Sequence, residues 1–166
     1  MKKRTAYLTA FFAAVLGYFL IQKPLFMLYN GSVAKGVPLA DYGRVMLHGF
    51  TLDAATAGYL TVVPWLAILA SIWFKRFPLR AVLAGYYAVI ALLVTIIFIG
   101  DMSIYPFWGF KLDASVFLYL DSPKNVLASV SAGFVIFRLL CVLVLSILAA
   151  WGLCRLTPAV LAGTKR

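Results

Sequence analysis

Residues 54–100 read AATAGYLTVVPWLAILASIWF, then KRFPLR, then AVLAGYYAVIALLVTIIFIG: two charge-free runs separated by a basic hexapeptide. Wound as a helix at ~1.5 Å per residue, each run is about as long as the ~30 Å hydrocarbon layer of a bilayer is thick. The hexapeptide Lys75 to Arg80 has room only for a tight turn between antiparallel spans. Working outward, Thr5 to Gln22 upstream and Asn125 to Leu153 downstream are equally apolar, the latter interrupted only by Arg138. The whole chain of 166 residues is 64% hydrophobic and 12% charged, has no glutamate, and has a mean hydropathy of +1.00. That composition excludes an ordinary water-soluble domain. The expected fold is all-α, a polytopic helical membrane protein forming one transmembrane domain over 1–166. Its four spans cover about 7–29, 54–74, 81–100 and 123–154, with short interfacial segments over 38–50 and 101–121.

The net charge of +10 would suggest nucleic acid in a soluble protein. Here its distribution gives orientation instead. With the N-terminus inside, Lys2, Lys3, Arg4, Lys75, Arg76, Arg80, Arg155, Lys165 and Arg166 fall on the cytoplasmic side with no acid, and all five aspartates fall outside. The positive-inside rule therefore predicts cytoplasmic N- and C-termini, with membrane lipids and no nucleic acid as partners. A signal peptide is the rival reading of the first segment, but the apolar run is too long for an ordinary one. Cys141 and Cys154 lie ~20 Å apart along one helix and cannot pair.

Local signals refine the picture. Thr51-Leu52-Asp53 reads as an N-cap at the start of the second span, with Asp53 favoured by the helix dipole. Pro38 to Phe50 interleaves Leu39, Val45 and Leu47 with Asp41, Arg44 and His48, which predicts a short helix lying on the outer surface. Ala54-x-x-x-Gly58 and Ala81-x-x-x-Gly85 predict a close hairpin of the second and third spans. Pro24 and Pro64 are expected to bend their helices. After Gly100, Asp101 to Asp113 alternates aromatic and polar residues in a way that suits the headgroup layer. Asp113 and Ser115 can cap a short helix through Leu120, and Ser122-Pro123 reads as the start of the fourth span. Asn30-Gly31-Ser32 fits a glycosylation pattern that lies against the membrane.

Soluble-type catalysis has little to work with. The sequence has one histidine, no metal-ligand spacing, no phosphate loop and no nucleophile elbow, so no catalytic residue and no metal site is expected. Arg138, some fifteen residues inside the fourth span, is the sharpest single residue, because a guanidinium in lipid requires a partner. It either binds a lipid phosphate or lines a polar cavity that opens outward, or it is locked to helix carbonyls or an aspartate to orient the bundle. Lys23 can snorkel to the interface. Asp53 and Asp101 are the available polar partners, and Asp101 is within reach of Arg138 or Lys23 across a bundle. Arg138, Lys23, Trp108 and Lys111 are thus the candidates for contact with a lipid headgroup, the expected ligand being an anionic phospholipid.

Two stretches carry a resemblance. Leu47 to Pro64 (LHGFTLDAATAGYLTVVP), followed by Tyr105 to Asp113 (YPFWGFKLD) and Ser122 to Ser129 (SPKNVLAS), resembles the N-terminal membrane region of the lipoteichoic-acid-synthase-like family in its Bacteroidetes form. The resemblance extends over most of residues 40–130. It implies a membrane anchor followed by an extracytoplasmic alkaline-phosphatase-like domain. In that domain a divalent metal such as Mn or Mg and a threonine-type nucleophile transfer phosphoglycerol or phosphoethanolamine from a phospholipid, or act as in sulfatases. Nucleophile and metal ligands lie downstream of the region resembled, so none transfers to a residue here, and no cofactor is expected in this chain. The family anchor usually has a fifth span, whereas four spans leave the C-terminal residue inside, which predicts a truncated or shortened gene product. On this reading the chain anchors the transferase and presents lipid to it. The alternative is a stand-alone helical accessory subunit without catalysis. The absence of ionisable residues between Ala54 and Phe74 and between Ala81 and Gly100 argues against an ion pathway.

Overall fold

The computed structural model describes residues 2–32, 36–74, 76–112 and 131–157. Among these the fold is all-helical: α1 (Lys2–Tyr29), α2 (Leu39–Trp73), α3 (Leu79–Trp108) and α4 (Ala132–Leu156). All four are long and apolar enough to cross a membrane, and the chain is a multi-pass helical membrane protein. Its surface has the corresponding character. Large apolar side chains such as Ile97, Leu143 and Ile147 stand exposed on the outer faces, where lipid rather than water is the compatible solvent.

The helices run up, down, up and down. Tyr7 and Tyr87 join their hydroxyls, Tyr18 and Thr95 do so at 3.0 Å, and the rings of Phe26 and Tyr105 meet edge to face at 4.9 Å. The near-constant separation in sequence of these pairs shows that α1 and α3 lie parallel and in register along most of their length. We call the end holding Lys2, Trp73, Leu79 and Leu156 the near end, and the end holding Tyr29, Leu39, Trp108 and Ala132 the far end. The near end is sealed by Tyr7, Phe11, Leu83 and Tyr87, all buried, with the Phe11 and Tyr87 rings stacked at 5.5 Å.

Several expectations are corrected. No separate surface helix precedes the second span: residues 39–50 are the first turns of α2, which begins after Pro38 with Asp41 in its first turn. Thr51 and Asp53 do not cap it. A capping residue acts only where the chain arrives in a non-helical conformation, and here Asp53 points to another helix while Thr56 donates to the carbonyl of Leu52. At 35 residues α2 is longer than a hydrocarbon layer requires, so its first turns extend past the layer or the helix tilts.

The third span likewise continues beyond Gly100 to Trp108. Pro106 sits in its last turn, where the one carbonyl it orphans is Met102's, and helix is kept. Gly109 then adopts the left-handed conformation (φ 72°) and its N–H bonds the carbonyl of Tyr105 at 2.9 Å, closing the helix.

The expected α2–α3 hairpin packing is the lesser contact: α3 packs mainly on α4, and α1 on α2. Gly58 and Gly85 face open space, so the small-residue motifs do not mark a close crossing. The helix predicted from Asp113 through Leu120 and the Ser122-Pro123 start lie outside the described residues. In the described part, Ser131 is the cap of α4, its hydroxyl accepting from the N–H of Phe134 at 3.3 Å. Asn30 is buried and its amide donates to the carbonyl of Phe26, so the glycosylation pattern is not presented. Cys141 and Cys154 are both free.

Candidate functional site

At the far end α1, α2 and α3 enclose a cavity of about 220 Å³ whose polar walls are Gln22, Lys23, Asp53, Thr56, Asp101 and Lys111. Each side chain arrives there for a traceable reason. Lys23 and Asp53 form an ion pair at 2.5 Å across the α1–α2 interface, with only 16% and 13% of their side chains exposed. Gly49, one turn before Asp53, makes the approach possible: a Cβ there would lie 2.8 Å from Cε of Lys23 and closer still to its ammonium. Gly49, Asp53 and Thr56 are spaced to share one face of α2. Lys23 is therefore a paired group inside the bundle, not an anchor snorkelling to the interface. Among the described residues no further hydrogen bond satisfies its ammonium or Oδ2 of Asp53, nor the buried amide nitrogen of Gln22. The cavity thus presents polar atoms with unused capacity.

The opposite wall depends on Asp101. Past Gly109 the chain folds back on α3, and Oδ1 of Asp101 accepts the backbone N–H of Leu112 at 2.7 Å. The Leu112 side chain then crosses over Gly100, where a Cβ would lie 2.5 Å from its Cδ1. This reversal sets the ammonium of Lys111 4.6 Å above the ring of Phe26, a favourable cation–π placement. Asp101 therefore reaches neither Arg138 nor Lys23, and holds the backbone that positions Lys111.

Arg138 is not in the cavity wall. Its guanidinium donates to the hydroxyl of Tyr29 and lies over the rings of Tyr29 at 5.0 Å and Phe134 at 4.8 Å. Among the described residues its buried Nε has no hydrogen-bond partner, and the groups that meet the guanidinium are a phenol hydroxyl and ring faces. Trp108 packs against Phe110 with ring centroids 5.5 Å apart and does not line the cavity. Of the four headgroup candidates the cavity unites Lys23 and Lys111, while Arg138, on α4, meets Tyr29 at the far end of α1. Phe26 under Lys111 and Tyr29 under Arg138 are one helical turn apart. Among the described residues, Lys23, Lys111, Arg138, Asp53 and Asp101 are the charged groups gathered here.

Gln22, Phe26, Gly49 and Thr56 did not stand out in the sequence. The spacing of Gly49, Asp53 and Thr56 was the available signal, and the N-cap reading of Asp53 obscured it. Among the described residues no group of three or more His, Cys, Asp or Glu side chains is placed to hold a metal ion. Comparison with family models, curated proteins and solved structures finds no match to this chain.

Proposed function

We propose that this chain is a lipid-presenting module of the bacterial cytoplasmic membrane, which holds the phosphate headgroup of an anionic phospholipid at the far, extracytoplasmic end of its bundle. The observation that carries this reading is the half-open, mostly apolar cavity between α1, α2 and α3 that gathers Lys23, Asp53, Asp101 and Lys111. Its Lys23 is already neutralised by Asp53, whereas Lys111 and Arg138 rest on aromatic rings. Cations held that way keep donors free for a phosphate, and a guanidinium in a poorly hydrated setting forms strong charge-assisted bonds to phosphate oxygens. The orientation rests on Lys3, Arg4, Arg76, Arg80 and Arg155 at the near end. The sequence resemblance supports the further reading that such a module serves a lipoteichoic-acid-synthase-like transferase moving phospholipid-derived headgroups. In that case the residues here bind and orient lipid, and bond-making belongs to an extracytoplasmic catalytic domain.

The test uses the full chain in nanodiscs containing phosphatidylglycerol diluted in phosphatidylcholine. After detergent extraction, the retained lipid is measured by mass spectrometry. Phosphatidylglycerol is expected to be enriched by the native chain and to lose that enrichment in Lys111→Ala and Arg138→Leu. Equal retention in folded variants removes both residues from lipid recognition. Orientation is read with Lys3→Cys and Gly43→Cys in a background lacking Cys141 and Cys154. A membrane-impermeant thiol reagent added outside is expected to label position 43 and not position 3.

A further inference from the structure

Below the polar cavity lies a second one, of about 180 Å³, walled by all four helices. It owes its space to small residues that converge on it: Ala14 on α1, Ala91 on α3, and Ala149 and Gly152 on α4. The polar groups on its wall are already engaged: the hydroxyl of Tyr18 with that of Thr95 at 3.0 Å, and the carbonyl of Leu60 with the hydroxyl of Tyr86 at 2.7 Å. A cavity of this kind has too few free polar partners to hold water and takes hydrocarbon instead.

Phe19 and Val94 line both cavities, so the two are consecutive chambers along the α1–α3 seam. From Phe26 at the top of the polar chamber to Ala14 at the bottom of the apolar one is twelve residues of helix, ~18 Å at ~1.5 Å per residue. One leaflet of a ~30 Å hydrocarbon layer is about that deep. Polar above, apolar below, and one leaflet long is the outline of a single amphiphile.

We infer that the apolar chamber is the acyl-chain site of the same phospholipid whose phosphate is held at the far end, with Phe19 and Val94 as the throat through which the chain passes. This rests on the headgroup reading and deepens it: one chain of the lipid settles into a half-open apolar cleft between the helices, not merely against the outer surface of the bundle. Selectivity then has two parts, charge at the far end and chain fit below the throat.

The experiment uses the native full chain in phosphatidylcholine nanodiscs with a trace of phosphatidylglycerol that carries a diazirine in the middle of one acyl chain. After illumination, cross-links are mapped by peptide mass spectrometry. The expected sites are the buried or half-buried Val15, Ala91 and Ala149, lost when excess unlabelled phosphatidylglycerol competes and kept under the same excess of phosphatidylcholine. Ala149→Phe, which fills the chamber, is expected to lower chamber labelling by about tenfold or more, as when two or more methylenes lose their burial. Cross-links confined to outward-facing residues such as Leu139, Leu143 and Ile147, with phosphatidylglycerol still enriched, overturn the acyl-chain site and leave the headgroup reading standing. Chamber labelling that phosphatidylcholine competes equally overturns the link between chain and headgroup. Loss of both enrichment and chamber labelling overturns the two readings together.

Discussion

The hydroxyl of Tyr86 donates to the backbone carbonyl of Leu60 at 2.7 Å, and Leu60 stands four residues before Pro64. Proline has no N–H, so the Leu60 carbonyl is the one that α2 leaves without its own donor. In a membrane no water replaces that donor, and a side chain from the neighbouring helix does. A kink residue and a tyrosine twenty-two positions later therefore form one device joining α2 to α3.

It follows that Tyr86→Phe destabilises the bundle by about 1 kcal/mol, the scale of interhelical hydrogen bonds in membranes. Pro64→Ala restores the intrahelical donor and removes the need. In that background Tyr86→Phe is expected to cost close to nothing, and a double-mutant cycle by reversible unfolding in mixed micelles measures the coupling. Equal costs in the two backgrounds would break the link between proline and hydroxyl.

The Lys23–Asp53 pair makes a different prediction, because each charge is mostly withdrawn from water and held mainly by the other. Lys23→Met or Asp53→Leu alone strands the remaining charge and is expected to cost about 3 kcal/mol, toward the low end for breaking a buried pair. The double variant Lys23→Met with Asp53→Leu strands nothing. It is expected to recover to within about 1 kcal/mol of the native chain, since an apolar pair of similar volume replaces a buried ion pair at little net cost. The same unfolding assay checks all three.

Gly49 is the third member of that arrangement. Its Cα passes so close to the Lys23 side chain that any Cβ occupies the lysine's path. Because the ion pair with Asp53 holds the far end of the lysine, which would otherwise swing aside, Gly49→Ala is expected to destabilise the native chain even though alanine is the better helix former by about 1 kcal/mol. Combined with Lys23→Ala the clash disappears and the same substitution becomes neutral or stabilising. A destabilisation that persists without the lysine side chain would point to some other cause.

How far the fold could be read in advance depended on what each signal encodes. The spans of α1, α3 and α4 announce themselves through charge-free runs, because hydropathy is a property of each residue summed along the chain. The start of α2 was misplaced because Thr51 and Asp53 are chemically able to cap a helix, and only the position of Lys23 on another helix shows that Asp53 is used otherwise. The small-residue motifs misled for a related reason: Ala54-x-x-x-Gly58 defines a face, while the choice of partner for that face is a tertiary matter. Arg138 was recognisable as needing a partner, and the identity of that partner, Tyr29, came from a helix over a hundred residues away. At the site, the lysines and aspartates were legible as candidates and their grouping was not, since pairing is fixed by register between helices.

Asp101 offers the sharpest test of that grouping. Its carboxylate holds the N–H of Leu112 and so fixes the reversal that sets Lys111 over Phe26. Asp101→Ala removes the acceptor and leaves the N–H of a chain reversal unpaired, a loss on the order of 1–3 kcal/mol that frees the segment to lift away. Lys111, exposed even in the fold-back, should then be acylated by a membrane-impermeant amine reagent faster than in the native chain, to the extent that the Phe26 ring had held its ammonium. Asp101→Asn keeps an acceptor oxygen without the charge and is expected to fall between the two, because bonds to ionised acceptors are roughly twice as strong. Gly100→Val acts from the other side by occupying the space into which Leu112 folds, and should raise Lys111 reactivity while leaving Asp101 intact. If the alanine and valine variants both leave the acylation rate unchanged, Lys111 is placed by something other than this fold-back, and the far-end cavity loses one of its walls.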